Sequence, residues 1–342
     1  MTVVEGVASD VGAKPEMPPV PGVLVEGPVV EAKFLDSYIA FGFMVGGSIA
    51  ALVWAFWQGI GWIEISVFAG TFVMSTIGIG FMHRYFVHRS FRCGPVMRTI
   101  LAAVATMAVQ GSVLKWVSNH RRHHAHSDKP GDVHSPYYDG AGHPHISFAK
   151  GMAHAQGGWV WDKATSDGEY YARDILADPI SMFFTRTRWV WYALSAVIIP
   201  GLIGYALGGV HAMIGCVLFS GLFRSYVMTM ATSLVNSVCH SDGRYGYRRF
   251  ATPDGTTNEL VTTILTFGEG LHNNHHRFPR DAYLSHAWYE IDINGLIILA
   301  MGRLGLVQDI FRGGARQGAA AVGAGQNALD GVAEDLGSSG VR

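Results

Sequence analysis

Charge is scarce in this chain: Asp, Glu, Lys and Arg make up only 15% of its 342 residues, against about a quarter in ordinary soluble domains. That shortage excludes a fully solvated surface and, with 49% hydrophobic residues, points to lipid contact. Neither sign of charge is in excess. A net charge of -1 excludes a general attraction to nucleic acid. Cysteine is nearly absent, and Cys93, Cys216 and Cys239 are too few and too scattered for a disulfide framework or a thiolate zinc site. The chemistry is therefore expected to face a reducing cytoplasm. Residues 1–31 lack the basic start and apolar centre of a secretory signal and read as a disordered tail, as does the Gly/Ala-rich stretch 311–342.

What is present is a set of long apolar runs. Residues 35–60, 62–82, 189–207 and 210–234 are each about long enough to cross a bilayer as a helix. They pair into two hairpins. The links Trp57–Gly61 and Gly208–His211 carry no Lys or Arg, whereas the far end of the second run meets Arg84, Arg89, Arg92 and Arg98. The positive-inside rule then puts that end, and both termini, in the cytoplasm, with a bacterial inner membrane as the expected location. Residues 83–188 and 235–310 become a cytosolic cap. Within the cap, Pro95–Val113 is apolar but short, and reads as an interfacial or buried helix. Arg224, midway along the fourth run, calls for an interior partner.

Histidine is abundant, with 16 in all. The spacing H-x-x-H-H occurs twice, as His120, His123, His124 and again as His272, His275, His276. On a helix, positions i, i+3 and i+4 share a face, so each box can aim three imidazoles to one side. His83 and His88 form a third cluster, but five residues on an α-helix are roughly 140° apart. They converge only if the helix bends or ends between them. Eight such imidazoles are too many for one ion and suit two, while ligand type alone leaves iron, copper, zinc and nickel open. Asn236 and His240, four apart at the end of the fourth run, share a face at the same level. His126, His134, His143, His145, His154, His211 and His286 repeat no box pattern and read as hydrogen-bonding residues.

Together, His83–His88, His120–His124 with its continuation through Asp128 and Asp132 to Pro136, Asn236–His240 and Gly268–His276 resemble the membrane fatty-acid desaturases, in particular the acyl-CoA delta-9, stearoyl-CoA desaturase-like branch. The resemblance covers about residues 35–308. It implies an all-α integral membrane protein with four transmembrane helices in two hairpins and a cytosolic helical cap holding a histidine-rich di-iron site. It implies that one iron takes His83, His88, His124 and His276, with Asn236 through a water, and the other takes His120, His123, His240, His272 and His275. It further implies a bent tunnel for the acyl chain, with Gln110, Trp116 and Thr232 at the bend and Thr71 and Ser75 near the deep end.

The implied reaction is oxygen-dependent desaturation, delta-9 by analogy, of a long-chain acyl-CoA, acyl thioester or lipid. O2 is a co-substrate, and two electrons come from a separate ferredoxin, rubredoxin, flavoprotein or cytochrome. No separate acid or base is assigned. The same centre could instead make an alkyne, a terminal alkene or a hydroxyl group. A membrane metal-binding or transport protein would spread polar ligands along a path, which this sequence does not do, and a zinc hydrolase would have only Glu269 as a base. Arg121, Arg122, Arg244, Arg248 and Arg249 could face an acidic donor or phosphates, or be a solvated rim. Asn274, Asn119, Ser233 and Gln156 depart from the family's usual aromatic, Asp, Trp and His.

Overall fold

The computed structural model describes residues 19–313. Among these, three helices are long and apolar enough to cross a membrane: Pro28–Gln58, Trp62–Val87 and Arg188–His240. The first starts at Pro28, earlier than the apolar run alone suggests. Proline is tolerated in a first turn because those amides have no intrahelical partner. Its 31 residues span about 46 Å, well beyond a hydrocarbon core of about 30 Å. The surplus is used polarly: Lys33 donates to the carbonyl oxygens of Asp162 and Ala164, and Asp36 accepts both contacts from Arg188 at 2.7 Å.

The third apolar helix is too long, at 53 residues, to be one rod. Gly208 and Gly209 leave helical geometry, Gly209 at φ 67, where a side chain would be strained. The chain doubles back there. A Cβ on Gly204 would meet the Ala212 carbonyl, and one on Gly221 would meet that of Ala196, so the two arms pack backbone to backbone through small residues. π-helical stretches, Leu194–Ile198 and Cys216–Phe223, face each other at this contact. Arg224 is fully buried just beyond and is interior, as its position required. Its partners are the Ser75 hydroxyl at 2.8 Å and the Ser195 hydroxyl and carbonyl at 2.9 and 3.1 Å, not a carboxylate.

Outside the long apolar helices lies Pro95–Met107, whose Leu101, Ala102 and Ala105 are buried while Val96 and Ile100 are exposed. That helix is thus both buried and exposed, as an interfacial helix is. Phe86, Phe91, Val113, Val117, Ile175, Phe184 and Ile298 join it in one core, where a Phe→Ala change costs about 3–5 kcal/mol. The described part of each expected tail is tied down. Val23–Leu24 pairs antiparallel with Thr165–Ser166, and the Phe311 amide donates to Ser90. Residues 1–18 and 314–342, the bulk of both expected tails, lie outside the described residues.

Candidate metal centre

The second span leaves the apolar zone through a π-helical turn, Met82–Val87, in which the His88 amide donates to the His83 carbonyl at 3.2 Å. An i to i+5 hydrogen bond stacks residues five apart on one face. This is how two imidazoles that an α-helix would separate come together, with ring centroids 4.8 Å apart.

The boxes sit on two helices, Val113–His126 and His272–Arg277. His120 and His124 are i, i+4, with Nε2 atoms 3.0 Å apart; His272 and His276 repeat this at 3.1 Å. The middle histidine of each box is turned toward the opposite helix. His275 Nε2 lies 2.9 Å from His124 and 3.0 Å from His83, while His123 Nε2 lies 3.3 Å from His276. Two groups result: His83, His88, His120, His124 and His275, and His123, His240, His272 and His276. The expected division is corrected here. His120 and His275 join His83, and His276 joins His240, because i, i+4 partners stay together and the i+3 residue crosses over. Asn236 lies one turn before His240 on the wall of an adjoining cavity.

Carboxylates hold the rings. His83 Nδ1 is 2.5 Å from Glu269, His123 Nδ1 2.8 Å from Asp132, His240 Nδ1 2.9 Å from Asp128 and His276 Nδ1 2.7 Å from Asp254. An Nδ1 proton donated to a carboxylate leaves Nε2 with only a lone pair. The His123 and His276 Nε2 atoms therefore point lone pair at lone pair, which is repulsive unless a cation lies between. Octahedral ligation with bonds of about 2.1 Å has ligand edges of about 3.0 Å, the spacing found here. The Nε2 of His88 is buried without a partner. Burial, reinforced by neighbouring imidazoles, holds His88, His120, His123, His124, His272 and His275 well below the ordinary histidine value, so they are neutral, as ligation requires. The residues fit a pair of metal ions.

Glu269 is not a free base. Its carboxylate also accepts from Arg84 and Asn294, both at 3.0 Å; burial raises it, but the Arg84 guanidinium and the hydrogen bonds from His83 and Asn294 prevail and hold it at about 2. The basis for a zinc hydrolase goes with it. The carboxylates that orient the rings had faint sequence signals: Asp128 and Asp132 follow the second box at helical spacing, while Asp254 comes from a distant turn and had none. His134 stacks on His123 at 4.5 Å and forms a further buried group with it and Asp132.

A cavity opens beside the first cluster. Trp116, stacked on His120 with a centroid distance of 5.1 Å, lines it together with Gln110, Thr232, Asn119, Ser233 and Gln156. It shares Ala40, Met44, Val109, Trp189 and Tyr192 with a second, almost wholly apolar cavity that continues to Ala196, Leu222 and Ser225. Thr71 and Ser75 line neither of these two cavities. Thr71 donates to the Ser220 carbonyl and Ser75 accepts from Arg224. Three of the departures from the expected pattern are bonded through their side chains: Asn274 joins Asn258, Leu284 and Glu290, Asn119 joins Ser166, and Gln156 joins Met230 and Ser237. Of the five cap arginines, Arg121 pairs with Asp174, Arg122 is buried on the Gly131 and Gly140 carbonyls, Arg248 holds Asp254 O, and Arg249 holds Glu290. Arg244 is exposed over the Phe148 ring. The rim is mostly structural.

Residues 55–293 match the sequence family described as fatty acid desaturase. The chain belongs to the fatty acid desaturase family. It is 35% identical over 268 residues, 77% of this chain and 82% of the relative, to a hex-5-enoyl-(acyl-carrier protein) acetylenase of Moorena producens. It is 31% identical over 273 residues, 78% and 91%, to an sn-1 stearoyl-lipid 9-desaturase of Anabaena variabilis, and 30% identical over 241 residues, 70% and 62%, to an icosanoyl-CoA 5-desaturase of Limnanthes douglasii. This desaturase-family enzyme therefore carries out desaturation or a related modification of an acyl chain.

Proposed function

We propose that this enzyme is an oxygen-dependent desaturase that introduces a double bond, at the delta-9 position, into a long-chain acyl substrate, with two irons as cofactor. The observation that carries the reading is the pair of carboxylate-backed imidazole clusters beside a cavity that grades from charged to apolar. His83, His88, His120, His124 and His275 would hold one iron, and His123, His240, His272 and His276 the other, with Asn236, one turn before His240, acting through a water. The reading includes four crossings, with both termini and the centre on the cytoplasmic side of a bacterial inner membrane; the doubled-back third helix and the charge asymmetry support it.

Bound irons would activate O2, which supplies the oxidising equivalents: a CH2–CH2 unit, O2, two electrons from a separate ferredoxin, rubredoxin, flavoprotein or cytochrome, and two protons give CH=CH and two waters. The chain's own residues position and shield. Trp116 and Thr232 would wall the acyl chain at the bend, where holding one C–C bond against the centre selects the reacting carbons. Gln110, donating to Thr229 at 3.0 Å, would brace that wall. Thr71 and Ser75 would shape the deep end only indirectly, through Ser220 and Arg224. Glu269, Asp132, Asp128 and Asp254 keep the Nδ1 protons in place.

A second reading is favoured by the 35% identical acetylenase: removal of two hydrogens from an existing double bond at the same centre. Expression in a desaturase-deficient host, with mass-spectrometric mapping of unsaturation, separates the two. New alkenes in long acyl chains support the first reading, alkynes alone the second, and hydroxylated chains alone overturn both. Metal analysis of the purified protein should find two irons per chain.

A further inference from the structure

The cavity beside the first cluster is lined by two cations, Lys115 and Arg188, and one carboxylate, Asp36. Asp36 is committed, since both its oxygens accept from Arg188 Nη2 at 2.7 Å. That leaves the Lys115 ammonium on the cavity wall with no hydrogen bond or ion pair to any described residue, on a stem that is largely enclosed. An enclosed cation whose neighbouring carboxylate, Asp36, is already bonded to Arg188 is costly. The cost is removed if the usual occupant of the cavity brings an anion.

The position of Lys115 on its helix sharpens this. Lys115 and Asn119 are i, i+4 and form one stripe; Trp116 and His120 are i, i+4 and form the adjacent one. All four line the same cavity. The Asn119 carbonyl is taken by the Ser166 hydroxyl at 2.8 Å, which orients its amide and leaves the NH2 end available as a donor. One helix thus offers a metal-facing stripe and, beside it, an ammonium and a carboxamide donor, while the opposite end of the cavity is apolar.

We propose that Lys115, with Asn119, is a positioning residue that holds an anionic oxygen on the head of the acyl substrate, and so selects charged over neutral acyl carriers. The proposal rests on the acyl-modifying reading of the cavity but is tested by binding rather than turnover. The anion could be the phosphate of a thioester carrier, the phosphate of a phospholipid, or a free carboxylate. All present the same chemistry to an ammonium, which binds phosphate as a point charge.

The test uses the detergent-solubilised, metal-loaded full chain and matched probes, hexadecyl phosphate and hexadecanol, followed by tryptophan fluorescence. The wild type should prefer the phosphate by roughly tenfold or more. Lys115→Gln should lose that preference while keeping its affinity for hexadecanol, and Lys115→Arg should restore it. Equal binding of both probes by the wild type overturns the proposal, as does a Gln variant that keeps the preference or weakens both probes alike. Competition with palmitoyl-CoA, phosphatidylglycerol and palmitate then identifies the source by which one displaces hexadecyl phosphate in a Lys115-dependent manner; displacement independent of Lys115 by all three counts against it. A wild type that shows the preference but yields no unsaturated product leaves Lys115 in its role and refutes the desaturase reading instead.

Discussion

The two histidine clusters differ in the anions behind them, and this should make their metals unequal. Three of the four imidazoles in one cluster, His123, His240 and His276, donate to Asp132, Asp128 and Asp254, whereas in the five-histidine cluster only His83 has such a partner among the described residues, Glu269. Asp254→Asn is the cleanest perturbation. It keeps the shape and an acceptor for His276 Nδ1, 2.7 Å away, but removes the charge that raises ligand basicity. Losing such a partner costs about 10–100-fold in metal affinity, or about 1.4–2.8 kcal/mol.

The assay is chelator titration of iron-loaded protein, with the remaining iron per chain measured by atomic emission. Asp254→Asn should release one metal at 10–100-fold lower chelator and keep the other. Adding Asp132→Asn should weaken the same metal further, whereas adding Glu269→Gln should weaken the second. Asp254 also accepts from the Thr256 hydroxyl at 2.6 Å; Thr256→Val, which spares the carboxylate, should lower stability without selective metal loss. Wild-type retention in Asp254→Asn would refute the reasoning, as would Asp254→Asn and Asp132→Asn releasing different metals.

The crossed boxes predict that His275→Ala and His276→Ala each remove one metal, from opposite clusters, and each abolish turnover with the spans still inserted; metal counts on the double variants with Glu269→Gln check this. Ala196→Leu, filling the apolar end of the second cavity, should shift products to shorter chains, with roughly tenfold or more discrimination per excluded methylene, read by gas chromatography. Gly209→Val, at φ 67, should destabilise the doubled-back arm by about 1–2 kcal/mol, seen as a lower melting temperature in detergent. Asp174 accepts from Arg121 and Arg89. Although burial raises it, these guanidiniums prevail and hold it well below its ordinary value of 3.8. A depressed carboxylate contributes stability above its ordinary value and loses it as pH falls below, so the melting gap between wild type and Asp174→Asn should narrow from about pH 7 to about pH 3.

The apolar runs and the histidine boxes were legible in the sequence because each is a local pattern: a run of about 20 residues, or a spacing of three and four. The break at Gly208 was legible for the same reason. What escaped was set by contacts between distant segments. The π-helical turn at His83 depends on hydrogen bonds that residue types do not announce. Asp254 reaches His276 from a loop 22 residues away in the chain. Thr71 was placed at a tunnel end by resemblance, but its hydroxyl is drawn to Ser220 by the packing of two spans. The cap arginines looked like a free basic rim only because their carboxylates and carbonyls lie far off in sequence.

The division of ligands shows how a local spacing can encode a long-range arrangement that it does not reveal when read alone. In an H-x-x-H-H box the first and third imidazoles are one α-helical turn apart and act on one centre; the second, about 100° from the third around the axis, is left to face the other helix. Two such boxes facing each other must each lend their middle residue to the opposite cluster, His275 to His120 and His124, His123 to His272 and His276. Neither cluster can then form on one helix alone. The two metal sites are tied to the same packing of the cap, and a single-residue insertion between His272 and His275 would break both at once, since it turns His275 and His276 together away from their partners.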